Sequence, residues 1–105
     1  MTTTATRPIA AGLIATGAST STFTEQNFKT IQASGTTTSG VGSATIQIQG
    51  SLDGSSWDTF GTITLTLGTV STSDSFASND RYPMIRANVS ALSGTGASVN
   101  VNMGF

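Results

Sequence analysis

Few side chains in this sequence could do chemistry, and most of the candidates sit in two short segments. Asp53 and Asp58 fall within Gly50-Ser51-Leu52-Asp53-Gly54-Ser55-Ser56-Trp57-Asp58, where two carboxylates and nearby hydroxyls could offer oxygen ligands to calcium. Two carboxylates are thin for a cation that takes six to eight oxygens. The simpler expectation makes Asp53-Gly54 a tight turn and sends the large ring of Trp57 into the core, beside Ile46, Ile48, Ile63, Leu65, Val99 and Val101. The second segment, Asp80-Arg81-Tyr82-Pro83, places two charges and an aromatic ring just before an alternating stretch. A local ion pair on a turn accounts for it as well as a ligand loop does. Arg86 is a lone charge inside an otherwise uncharged stretch. Its partner is open on sequence grounds: Asp58, Asp74 or a neighbouring subunit would each serve.

Whole classes of reaction are excluded by what is missing. The chain has no histidine and no cysteine, so a Ser-His-Asp triad, a thiol nucleophile, a histidine zinc pair and a disulfide cannot be built. Glu25 is the lone glutamate, and nothing in the pattern sets paired carboxylates across a glycosidic bond. The expectation is a protein that is not an enzyme, with no catalytic residue, no metal site and no cofactor. Four basic residues scattered along the chain cannot neutralise a phosphate backbone, so no nucleic-acid partner is expected. No apolar run approaches the length of a membrane-spanning helix, and no membrane role is expected.

The elements that must carry these residues read as strands. Ile46 and Ile48 alternate with Thr45, Gln47 and Gln49, and Ile63, Leu65 and Leu67 alternate with threonines. Ile85, Ala87 and Val89 face one way, as do Ala97, Val99, Val101 and Met103. Phe28 to Ser34 reads as a further strand in preference to a short helix over Thr24 to Gln32. Asp74 to Ala77 could add one more, and so could Ile9 to Ile14, as an edge strand of its own sandwich in the alternative to a docking arm. Turn chemistry separates these runs at Gly35 to Gly40, Asp53-Gly54 and Ser93-Gly94-Thr95-Gly96. Six to eight short strands in 105 residues imply one all-β domain, an antiparallel β-sandwich.

Three segments carry a resemblance. Ala44-Thr45-Ile46-Gln47-Ile48-Gln49-Gly50-Ser51-Leu52-Asp53-Gly54-Ser55-Ser56-Trp57, then Arg81-Tyr82-Pro83-Met84-Ile85-Arg86-Ala87-Asn88-Val89, then Ala97-Ser98-Val99-Asn100-Val101, resemble small structural proteins of tailed bacteriophages. Capsid decoration, or cement, proteins are among those with this look. The resemblance implies a sandwich of jelly-roll type, a homotrimer on the outer capsid surface, and the major capsid protein as partner. Asp53, Gly54, Trp57 and Arg86 are then structural residues. An S-x-D-G-x-x-W piece followed by R-Y-x-x-I-R also occurs in discoidin-like sugar- or lipid-binding modules. A small carbohydrate-binding module of a phage tail or host-attachment structure is therefore the alternative.

Composition leans toward a subunit of an assembly. Only 9% of residues are charged, against about 25–35% of the surface of a typical free-standing domain. Strands so poor in charge leave their edges open to pairing unless another chain covers them. The N-terminal stretch, with Arg7 ahead of Ile9 to Ala15, looks like a signal peptide only superficially, since the apolar run is short and Pro8 heads it. It reads as an extended N-terminal arm over 1–14 before a sandwich over 15–105. Thr2, Thr3, Thr4, Arg7, Pro8 and Ile9 are the residues expected to dock on a partner chain.

Overall fold

Threonine, valine and isoleucine are stiff at χ1 and suit a pleated surface, and this chain supplies them in alternation with small polar residues. In the computed structural model, described over residues 6–19, 22–23, 29–78 and 82–104, they form nine strands and no helix among the described residues. The strands are β1 (Thr6–Leu13), β2 (Gly17–Ala18), β3 (Thr22–Phe23), β4 (Lys29–Thr36), β5 (Ser39–Ser51), β6 (Asp58–Leu67), β7 (Thr72–Ser78), β8 (Met84–Thr95) and β9 (Ser98–Gly104). One sheet runs β1-β9-β4-β7 and the other β2-β8-β5-β6, with β3 continuing β2 along β8. Every pairing is antiparallel. The first strand lies against the last and the chain passes repeatedly between sheets, which is the jelly-roll topology.

Period-two alternation fills the space between the sheets. Ile9, Ile31, Ala33, Val99, Val101 and Met103 face inward from one sheet, and Ala44, Ile46, Ile48, Ile63, Leu65, Leu67, Ile85, Ala87 and Val89 from the other. Each large aliphatic side chain removed from water contributes about 1.5–3 kcal/mol, so this layer is the main favourable term in folding. Two irregularities steer particular residues. In β1 the register advances from Pro8 opposite Asn102 to Ala10 opposite Val101, leaving Ile9 as the extra residue. Pro8 is tolerated because β1 is an edge strand, where a missing N–H costs no ladder bond. In β6 Gly61 lies opposite Ile48 and Thr59 opposite Gln49, so Phe60 is the bulged residue.

Two expectations need correction. The arm expected over 1–14 is, from Thr6 onward, an edge strand of the domain's own sheet. Ile9 is only 4% exposed and belongs to the domain's own core, so it is not presented to a partner. An alternating apolar stretch beside an open edge of its own sandwich gains more by closing that edge than by waiting for another chain. Thr2, Thr3 and Thr4 lie outside the described residues, and Arg7 and Pro8 lie opposite Met103 and Asn102. Trp57 is the second correction: it is half-buried outside the core, just before β6. The aliphatic residues named as its neighbours do form the core, without it.

Candidate functional site

Ser51, the last residue of β5, is buried and organises the turn that follows. Its hydroxyl accepts hydrogen bonds from the backbone N–H groups of Asp53 (3.2 Å) and Gly54 (2.8 Å) and donates to Asp53 Oδ1 (3.1 Å). Asp53 Oδ1 also accepts from the N–H groups of Ser55 (2.8 Å) and Ser56 (2.9 Å). Those two backbone donors, then the Ser51 hydroxyl, hold the Asp53 carboxyl below its ordinary 3.8. Gly54 has φ of +79°, which a residue with a Cβ adopts at a cost. The expected turn is therefore in place, and one oxygen of Asp53 is engaged in latching it.

The same turn sets Trp57. Its indole N–H donates to the Gly54 carbonyl at 3.2 Å, which lays the ring beside β8. The Arg86 guanidinium carbon sits 4.2 Å from the ring centroid, a cation–π contact. Arg86 Nε donates to Gln49 Oε1 at 2.8 Å, and Gln49 Nε2 donates to Thr59 Oγ1 at 3.3 Å. Arg86 lies opposite Gln49, and Gln49 opposite Thr59, so this is one row across three strands on the outer sheet face. The next outward row pairs Asn88 Nδ2 with Gln47 Oε1 at 2.9 Å, and Gln47 lies opposite Thr62. Among the described residues, the contacts of Arg86 are thus a glutamine and an indole ring, and neither Asp58 nor Asp74 of the open candidates. An amide matches the guanidinium donor without fixing a negative charge on an uncharged strand.

Behind this row the end of the sandwich is closed by aromatic rings. Tyr82 stacks on Phe60 with centroids 5.3 Å apart, and Phe60 meets Phe76 edge-on at 6.2 Å. Both rings need glycines as seats: a Cβ on Gly50 would strike the Tyr82 ring, and one on Gly61 the Phe76 ring. A cavity of about 310 Å³ opens between Leu52, Asp53, Ser56, Asp58 and Tyr82. Tyr82 is therefore a packing residue first. Asp80, Arg81 and Glu25 lie outside the described residues.

Gln47, Gln49, Asn88 and Thr59 were not singled out from the sequence. Their signal is present there as the outward positions of alternating strands, but nothing in one strand says which residues of another will lie opposite. The arrangement offers a flat aromatic ring, a guanidinium and a lattice of amides and hydroxyls. It can bind by stacking and hydrogen bonding.

No family model matches the chain, and no curated protein does. Among solved structures, the crystal structure of the PBSX exported protein XepA is similar, with a TM-score of 0.52 and 16% sequence identity. The match covers 95% of this chain and 36% of XepA, so the chain spans little more than a third of that protein's length. That likeness is one of fold.

Proposed function

We propose that this chain is a structural subunit of a phage-related particle, a capsid decoration protein that attaches to the outer surface of the major capsid protein as a homotrimer and acts by adding contact area. The observation that carries this reading is how the polar groups are used. Asp53, Gln49, Arg86, Gln47 and Asn88 are tied to neighbours within the fold, while aliphatic side chains such as Ile14, Val41, Leu52 and Val70 stand in the open. A surface of this kind suits burial in an assembly better than turnover of a substrate. The fold shared with the PBSX exported protein XepA is compatible with this reading, and the phage setting itself rests on the resemblance of the three sequence segments. The test is an electron-microscopy map of particles assembled from a capsid protein with and without this chain. Density for the sandwich on the outer shell is the expected result. Particles that never carry it would exclude the reading.

The position of Trp57 favours a second reading, a carbohydrate-binding module of a tail or host-attachment structure. An aromatic ring beside a guanidinium and neighbouring amides is chemistry that recognises a sugar ring and its hydroxyls. Titration calorimetry with bacterial surface polysaccharide separates the two readings. Binding that disappears in Trp57→Ala would favour the module over the decoration protein.

A further inference from the structure

Most of the described charges lie toward one end of the sandwich. Residues 8–24, 30–52, 59–73 and 87–105 contain no Asp, Glu, Lys or Arg. Arg7 lies opposite Met103 and Lys29 opposite Ser78, near the finishing end of β9 and β7. Asp53 and Asp58 flank the turn after β5, and Arg86 lies near the start of β8, at that same end. Asp74, exposed on β7 two residues beyond Thr72, is the one described charge away from it, and it stands outside the connections themselves. The opposite end is built from the connections β1–β2, β4–β5, β6–β7 and β8–β9, and it carries no charge at all.

That uncharged end also holds three of the most exposed aliphatic side chains, Ile14 at 76%, Val41 at 78% and Val70 at 78%. A groove of about 450 Å³ runs beside Ile14 between Thr16, Leu92 and Ala97. The β4–β5, β6–β7 and β8–β9 connections are tied together. Thr37 N–H donates to the Gly68 carbonyl at 2.8 Å, Thr38 N–H to the Thr95 carbonyl at 3.0 Å, and the Ser43 and Ser93 hydroxyls meet at 3.0 Å. Gly42 and Gly94 pack so closely that a Cβ on either would strike the other strand. Val41 and Val70 are thus displayed on a braced surface, which keeps the entropy cost of binding low.

We propose that this uncharged end is where copies of the chain meet, with the charged ends pointing away from the contact. A partner bringing charged groups here would strip them of water with no counter-charge to receive them. The matching surface the molecule itself supplies is the same end of a second copy, equally uncharged and aliphatic. An end face spanning about 38 × 17 Å offers at most about 650 Å² per copy, below the ~800 Å² per partner of standard interfaces, which suits a weak association in the micromolar range. A lipid bilayer is the less suitable occupant, because this end offers neither the basic residues nor the Trp and Tyr that anchor loops at a membrane surface.

The inference concerns which face associates and does not rest on attachment to a capsid. Its test is the solution mass of the full chain by light scattering and sedimentation at about 100 µM, where a Kd of about 10 µM leaves most chains associated. A multimer is expected, dissociating to monomer in Val41→Lys and in Val70→Lys. The polar but uncharged Val41→Ser/Val70→Ser pair should weaken it less. Leu52→Lys, at the charged end, should leave the mass unchanged, and circular dichroism should show all variants folded. A monomer at this concentration would overturn the proposal, as would a multimer indifferent to charge at residues 41 and 70. So would a wild-type monomer that floats with phosphatidylcholine vesicles. A dimer in place of a trimer would keep the face and remove only the trimeric state from the decoration reading.

Discussion

At residue 53 a single carboxylate holds a turn. The folded chain lowers the Asp53 carboxyl below its ordinary 3.8, so folding favours the ionised form. Its contribution is full above that value and is lost as the pH falls through the lowered folded value. Thermal melts from about pH 6 to pH 2 should show an acid limb that is shallower in Asp53→Asn, whose amide oxygen still accepts the Ser55 and Ser56 hydrogens but cannot titrate. Trp57 makes a different point. A core tryptophan costs about 3–5 kcal/mol on truncation, whereas a half-buried ring held by one hydrogen bond and one cation stands to lose about 1 kcal/mol. Urea titration of Trp57→Ala measures the difference. Gly50→Ala should be the more damaging change, by about 1–3 kcal/mol, because the new methyl meets the Tyr82 ring.

At the level of strands, β1 is an integral part of the sheet. Ile9→Ala should cost about 2–4 kcal/mol, and removal of residues 1–13 should lower the midpoint of urea unfolding for the whole domain. A domain that unfolds unchanged without β1 would show the strand to be an appendage. How far such elements are legible from sequence depends on what defines them. The alternation of Ile46 and Ile48, of Ile63 to Leu67, of Ile85 to Val89 and of Ala97 to Met103 marks strands with one buried face, and all four are strands. Local polarity cannot reveal β2 and β3, two residues each, which exist because β8 offers an edge to pair with. Trp57 misled for a related reason. A large ring next to a turn reads as core by its hydrophobicity, and only the placement of Arg86 on a neighbouring strand shows where it rests. The turn at Asp53-Gly54 was legible because its chemistry is local.

For the molecule as a whole, few charges and many distant pairings set its physical behaviour. With 9% charged residues, the melting temperature should change by less than about 2 °C between about 0.02 and 0.3 M sodium chloride, since there is little for salt to screen. A larger shift would reveal an ionic network that the described residues do not contain. Folding should be slow, in the range of about milliseconds to seconds, because β1 pairs with β9 and β4 with both β7 and β9 across most of the chain. Stopped-flow refolding followed by Trp57 fluorescence measures it.

The pairing of β1 with β9 also brings the way in and the way out of the fold together. Thr6 lies directly across from Gly104, so the two backbone ends of the sandwich are about 5 Å apart. A host protein could therefore take up residues 6–104 as an insertion in a single surface loop, with no more disturbance than a hairpin causes. By the same geometry, a short linker joining those ends would permit the chain to be reopened at residues 69–71, between β6 and β7, with every strand kept whole.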